Sequence, residues 1–314
     1  MAHTLAVLLA LLLAATLGVT ILSMALFWRQ SRRDGHWAEL ARGFGSPWPP
    51  VLRASLTGWA SLALSVLLYP LRLIPARDKA ASSTASSTAS PIASSAASSA
   101  ASPDTDPSPS VILVHGLFHN ASAWLLYRPI LARAGLRHQY LLEYNSLTAI
   151  FPEAEARLAA LVERAAAERP GRGVVVIGHS LGGLLARATA ARPELAPYLA
   201  GIVTLASPHR GSLLARLGIT RLARSLHPDS ALMRALDHHL PPAGMPKLAV
   251  RIPTDGLVLP NASAVPPGEG WTLAQTPPMG HIDVLYHPAT ARLAARFALE
   301  AGRGKGGADP CPPR

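Results

Sequence analysis

The apolar run Val174-Val175-Val176-Ile177 passes directly into Gly178-His179-Ser180-Leu181-Gly182, and an Ala/Leu-rich segment, Leu184 to Arg192, follows. Consecutive apolar β-formers read as a strand buried on both faces. The segment behind reads as a helix, so a single turn must join the two. A serine on such a sharp turn is held in strained backbone angles. Glycines two residues to either side leave room for the neighbouring chain, so the Ser180 hydroxyl stands clear of the sheet edge. Buried strand, tight turn and covering helix are the parts of a layered α/β domain with a mostly parallel sheet. An incidental serine in a Gly-rich turn has the same local pattern, and the rest of the chain decides between the two.

Three further segments fall in the order such a site needs. Val111-Ile112-Leu113-Val114 is a second buried-strand run, and it ends in His115-Gly116-Leu117-Phe118. A His-Gly after a strand lets backbone N–H groups turn toward the serine. The amides of Leu117 and Leu181 would then form an oxyanion hole. The strand Leu248–Ile252 leads into Pro253-Thr254-Asp255-Gly256, which puts Asp255 on a loop at a strand's carboxyl end, where an orienting carboxylate belongs. Gly280-His281 follows the strand-like Trp271–Ala274 and precedes a helix from about Pro288 to Glu300. His281 would take the Ser180 proton and return it to the leaving group. His287 is the rival base, but it falls at the start of the next helix, and His281 is preferred.

With these pieces in place the chain resembles the α/β-hydrolase superfamily, and within it bacterial lipases and esterases. The matching stretches are VHGLFHNASAW, VVVIGHSLGG, TLASPHRGS, HPDSALMRAL, PTDGLVLPNAS and GHIDVLYHP, covering about Val111 to Glu300. The resemblance implies Ser180 as nucleophile, Asp255 as acid, His281 as base, and Leu117 and Leu181 as oxyanion donors. Ser207-Pro208-His209-Arg210-Gly211 is similar to the loop that leaves the sixth strand of lipases beside the active site. The family typically has two more strands ahead of the His-Gly strand. Here a Ser/Ala tract begins just upstream, so the match is to compact six-stranded members. The expected fold is a doubly wound, mostly parallel sheet. Its strands fall near 111–115, 138–143, 174–178, 201–206, 247–252 and 271–275, and its helices near 121–134, 152–169, 181–192 and 288–300.

No cofactor is implied. Asp283 resembles a calcium position of some bacterial lipases, with Asp229 and Asp237 as candidate second carboxylates; a plain surface carboxylate is the simpler reading. His115 and His119 flank a turn, His238-His239 have no second pair at ligand spacing, and no H-E-x-x-H occurs, which argues against a zinc enzyme. Asn120-Ala121-Ser122 and Asn261-Ala262-Ser263 match the glycosylation sequon, a pattern that arises by chance.

The chain ahead of this domain is different. Met1 to Trp28 carries no Lys, Arg, Asp or Glu, and Ala54 to Leu71 is a second uncharged run. The first is long enough to cross a bilayer; the second, about eighteen residues, is at the lower end for a span and reads as a span or a re-entrant hairpin, with a buried helix of the enzyme as the alternative. Residues 1–79 are therefore expected to form a membrane anchor with two transmembrane helices, about 4–28 and 54–74. A cleavable signal peptide fits less well, since the first run lacks a basic start and a small-residue cleavage site. The connection between the runs carries Arg29, Arg32, Arg33, Arg42 and Arg53, against Arg72, Arg77 and Lys79 after the second. The excess places the connection in the cytoplasm and the catalytic domain toward the periplasm or exterior. Residues 80–109, rich in Ala, Ser and Pro, read as a disordered linker with a mean reach of roughly 30 Å. The catalytic domain then runs from 110 to 301, with a flexible tail at 302–314. The single cysteine, Cys311, lies in that tail and excludes an internal disulfide.

Between the sixth strand and the acid strand, residues 212–246 form an insertion and a lid candidate. Ile219, Leu222, Ala223 and Leu226 share one helical face and Arg221 and Arg224 the other. The net charge of +11 is spread along the chain with no aromatic-interleaved basic patch, so nucleic acid is not an expected partner. The reading is a membrane-anchored serine carboxylester hydrolase, a lipase or esterase. Its partners are a lipid or other acyl ester and the membrane itself. Two alternatives stand beside it: an acyltransferase of envelope lipids using the same triad, and a non-catalytic membrane scaffold of the same fold.

Overall fold

The structure, a computed structural model, describes residues 2–70 and 106–305. Arg72, Arg77, Lys79, most of the expected linker and the end of the tail with Cys311 lie outside the described residues. Three helices come first: α1 (Ala2–Arg33), α2 (His36–Phe44) and α3 (Trp48–Leu68). The catalytic part follows in the order β1 (Ser110–Val114), α4 (Tyr127–Arg133), β2 (Gln139–Leu142), α5 (Phe151–Glu168), β3 (Val174–His179), α6 (Leu181–Ala190) and β4 (Leu199–Leu205). Then come α7 (Arg221–Arg224), α8 (Ala231–Asp237), β5 (Lys247–Arg251), β6 (Trp271–Gln275) and α9 (Pro288–Lys305).

The six strands form one sheet in the order β2-β1-β3-β4-β5-β6, and every pairing is parallel. The chain starts at β1, steps outward to β2, then reverses to β3. The reversal opens a crevice between the carboxyl ends of β1 and β3, the usual ligand position in such sheets. Strands β1, β3 and β4 are buried along their whole length. That is why they read as unbroken apolar runs, with helices covering both faces. One core lies under α5 and α6, with Leu158, Val162, Leu184 and Leu185 fully buried. The other lies under α4 and α9, around Trp124, Tyr127, Leu131 and Ala294.

The helix expected at 121–134 is broken into a single 3-10 turn, Ala121–Trp124, and α4. The lid candidate is likewise a series of short pieces: a 3-10 turn at Leu213–Leu217, then α7 and α8. Thr220 caps α7 by accepting the Ala223 N–H at 3.0 Å, so Ile219 lies ahead of the helix rather than on its apolar face. Leu222, Ala223 and Leu226 are buried as expected, while Ile219 is 76% exposed.

Helices α1 and α3 are long and apolar enough to cross a membrane. At 1.5 Å per residue, the 32 residues of α1 extend about 48 Å. The two helices form an antiparallel hairpin that lies against the catalytic domain. Phe27, Leu40 and Val51 bury themselves around Leu259. Leu62 packs on the core under α9, and the His36 ring lies 2.7 Å from the Pro253 carbonyl. This last contact sets the Arg-bearing connection beside the loop that carries Asp255. A connection held about 30 Å away across hydrocarbon, as the charge pattern leads one to expect, would not make it.

The packing of α1 is inverted relative to a helix of a water-soluble protein. Thr16, Thr20 and Ser23 face inward, each hydroxyl bonded to a carbonyl of the helix's own preceding turn. Leu17 and Ile21 face outward and are exposed. Helix α3 repeats the pattern, with Ala54, Ala63 and Ser65 buried and Leu52, Leu56 and Leu67 exposed. Small and hydroxyl residues thus make up much of the inward face of both helices, with Phe27, Val51 and Leu62 as large apolar exceptions.

Candidate active site

Ser180 occupies the turn between β3 and α6 with φ 54° and ψ −120°. A non-glycine residue rarely takes a positive φ, and the strain holds the side chain at the mouth of the crevice. The flanking glycines are needed for space. A Cβ on Gly178 would fall on the carbonyl of Gly182, and one on Gly182 would fall on the carbonyl of Val114. The turn can close this tightly only with hydrogen at both positions. A Cβ on Gly116 would lie 3.0 Å from the Ser180 Cβ, so the loop after β1 passes directly beside the nucleophile candidate.

That proximity sets the oxyanion candidates. Leu117 follows Gly116 and lines the same cavity as Ser180. Leu181 is the first residue of α6 and is buried. Its N–H belongs to the first helical turn, whose amides have no partner within the helix. The partial positive charge of that helix start favours an anion in front of it. Phe118, next along the loop, also takes a positive φ, 58°.

Asp255 and His281 are brought together across two loops. The His281 Nδ1 lies 2.8 Å from Asp255 Oδ2, with both side chains buried. The other carboxylate oxygen accepts the amides of Leu257 at 2.8 Å and Val258 at 3.1 Å. These bonds aim the carboxylate, and the carboxylate in turn fixes which imidazole nitrogen carries the proton. His281 Nε2 is left for the serine side. Ser180 and His281 line one cavity. His287 lies where α9 begins, and its carbonyl accepts the Thr290 hydroxyl at 2.7 Å.

Several supporting residues carried no signal in the sequence pattern. Thr254 donates its hydroxyl to the Met279 carbonyl at 2.9 Å and accepts the Met279 N–H at 3.0 Å, which ties the acid loop to the base loop. Ser212 donates to the Leu257 carbonyl at 2.7 Å and ties the insertion to the acid loop. Asn120 and Asn261 of the sequon matches are both buried, and their amides donate to Tyr69 and Ile252 carbonyls. Their role is structural. Asp283 is buried, and its Oδ2 accepts the Gly280 N–H at 2.7 Å, which braces the turn that carries His281. Asp229 lies at the surface. Among the described residues no group of three His, Cys, Asp or Glu side chains is placed to share an ion.

Histidines His115, His119 and His179 surround the site. Burial pushes His115 and His119 down to about 4 and His179 well below its ordinary value; nearby histidines add to the effect on His119 and His179. All three are neutral near pH 7. His179 Nε2 approaches the His281 carbonyl at 3.3 Å, so its ring supports the base loop from beneath.

The cavity above Ser180 measures about 520 Å³. Leu117 and Phe118 come from the β1 loop, and Leu214, Leu217, Ile219 and Leu226 from the insertion. Val19, Leu22, Leu62, Val66 and Tyr69 come from α1 and α3. Among the described residues, no Asp, Glu, Lys or Arg lines it.

A family model described as the alpha/beta hydrolase family matches residues 111–308. The search of the curated proteins found no match. Among solved structures, a Bacillus licheniformis lipase in its mature form is similar at 19% identity and a TM-score of 0.50, covering 63% of this chain and 94% of the lipase. Lipase B of Aspergillus fumigatus is similar at 17% identity and a TM-score of 0.52, covering 63% of this chain and 54% of that one. The chain thus spans about half the length of the fungal lipase. These likenesses are of fold.

Proposed function

The chain belongs to the alpha/beta hydrolase family, and from that premise we propose that it is a membrane-associated serine hydrolase of carboxylic esters with apolar acyl chains. The observation that carries the reading is His281, its Nδ1 aimed at 2.8 Å from Asp255 Oδ2, lining with strained Ser180 one apolar cavity. Ser180 Oγ attacks the ester carbonyl while His281 takes its proton. The amides of Leu117 and Leu181 stabilise the oxyanion. His281 returns the proton to the departing alcohol, leaving an acyl-enzyme. Water, deprotonated by His281, then releases the acid and restores Ser180.

Two features support a lipid-like substrate: the uncharged wall of the cavity, and the outward-facing leucines of α1 and α3 beside it. The family resemblance to lipases and esterases agrees with both. Full-length protein in detergent should react with a fluorophosphonate at Ser180 and hydrolyse p-nitrophenyl esters. Ser180→Ala should lose both, by about a thousandfold or more in turnover, with thermal unfolding unchanged. Turnover near wild type in Ser180→Ala would place the nucleophile elsewhere. Labelling without hydrolysis would favour transfer to an acceptor other than water.

A further inference from the structure

Three of the ties between the N-terminal hairpin and the catalytic domain land on loops that carry a site group. The His36 ring meets the Pro253 carbonyl at 2.7 Å, two residues before Asp255. Asn120 Nδ2 donates to the Tyr69 carbonyl at 3.0 Å, three residues after Leu117. Gly58, in the middle of α3, touches Gly280, the residue before His281; a Cβ on Gly58 would lie 3.2 Å from the Gly280 Cα. A simple tether has no need of contacts at all three places. The same hairpin forms one bank of the cleft over Ser180, with Val19, Leu22, Leu62 and Val66 facing the 212–226 insertion on the other bank.

We propose that the α1–α3 hairpin is part of the substrate site. The acyl chain of the ester lies lengthwise between the hairpin and the insertion, with its carbonyl carbon at Ser180. This rests on the hydrolase reading above and names where its substrate is held. Three observations argue for an acyl chain as the occupant. The cleft has an uncharged lining that ends at the nucleophile. Its hairpin bank has an outer face of exposed Leu17, Ile21, Leu56 and Leu67, inverted from that of a helix in water. On the opposite bank, Leu217 and Ile219 project at 60% and 76% exposure, which extends the same apolar surface across the cleft mouth. An acyl chain leaving a lipid layer in contact with this surface reaches Ser180 without crossing water, and desolvation of the chain drives its entry.

The test uses the full chain in lipid nanodiscs and two probes. A short-chain fluorophosphonate reports whether Ser180 is a reactive nucleophile. A long-chain alkyl fluorophosphonate with a diazirine at its far end places a photoreactive carbon where the acyl tail lies. After irradiation and digestion, crosslinks at α1 and α3 are expected, around Val19, Leu22, Leu62 and Val66. Crosslinks confined to residues 106–305, with Ser180 labelled by both probes, would overturn the inference and leave the hydrolase reading standing. Failure of both probes to label Ser180 would sink the hydrolase reading and the inference with it. A second measurement needs no crosslink. Val66→Trp should lower the ratio of long-chain to short-chain kcat/KM by about tenfold or more, and Leu56→Trp on the outer face should not. An unchanged ratio in Val66→Trp protein that still labels at Ser180 would also overturn the inference.

Discussion

The two oxygens of Asp255 act on different partners: Oδ2 meets His281 Nδ1 at 2.8 Å, and Oδ1 takes the amides of Leu257 and Val258. One carboxylate therefore both shapes its own loop and orients an imidazole on another. Thr254, the neighbouring residue, bonds the same two loops through Met279. The Asp255–His281 distance is held from both ends, and small changes here should act on turnover before they act on the fold.

Asp255→Asn keeps the side-chain shape and one acceptor for the loop amides, but presents an amide to His281. An NH₂ facing Nδ1 selects the wrong tautomer. We expect kcat to fall by about 10³–10⁴-fold, with the fluorophosphonate rate falling alongside. Steady-state kinetics on purified protein checks it. A loss smaller than about tenfold would mean that Asp255 does not orient the base.

The two histidines near the start of α9 should separate cleanly. His281→Ala removes the proton acceptor and should cost kcat about as much as loss of the serine. His287→Ala should stay within a few-fold of wild type, because that ring is not bonded to Asp255. Parallel assays on both variants decide the matter, and reversed results would exchange the two roles.

Gly280 and Gly58 should respond unequally to alanine. A Cβ on Gly280 runs into the Gly58 Cα, so the turn carrying His281 must shift; about 1–3 kcal/mol of stability and most of the turnover should be lost. A Cβ on Gly58 lies 3.2 Å from the Gly280 Cα, and a helical Gly→Ala change gains up to about 1 kcal/mol, which offsets that crowding. Thermal melts of both variants in detergent test the contact. Equal, negligible shifts would mean that the hairpin does not press on the base loop.

Acid should weaken the fold through the buried histidines. Burial pushes His115 down from 6.5 to about 4 in the folded chain, and His119 likewise. Between those values the unfolded chain binds more protons than the folded one. The stability these groups contribute is therefore complete above about pH 6.5 and is lost progressively as pH falls toward 4. His115→Phe, which keeps the ring stacked on Tyr144 at 4.2 Å, should reduce the drop in Tm between pH 7 and pH 5. A drop as large as that of wild type would remove His115 from the account.

Most of the catalytic sheet was legible in the sequence because parallel strands covered on both faces are written as unbroken apolar runs. Val174–Ile177 and Val111–Val114 could hardly be read otherwise, and every strand falls within about two residues of its expected place. The positions of Ser180 and Asp255 were legible because each follows such a run, where the sheet's carboxyl edge must be; His281 follows the short, largely exposed β6 and was placed by its order in the chain. Ile219 was misjudged because its apolarity fitted a helical period, while the competing signal, Thr220 as a cap, sat one residue further on. The docking of the hairpin was not legible at all. In a helix apolar on every side, periodicity does not mark the inner face, and the contact of Gly58 with Gly280 joins residues more than two hundred positions apart. The small side chains of Ala54, Gly58 and Ala63 were the only local trace.

A fragment beginning at Asp106 would keep Ser180, Asp255, His281 and both oxyanion amides, yet it would not be a smaller version of the same catalyst. Stripped of α1 and α3, the groove would have one side, open to water along its length, and the Pro253, Gly280 and Asn120 contacts would be gone. Short, soluble esters would suit such a fragment, and a preference measured on it would describe the fragment's exposed cleft. Selectivity for long chains would then be a property of the intact polypeptide, carried in part by residues that never touch the reacting carbonyl.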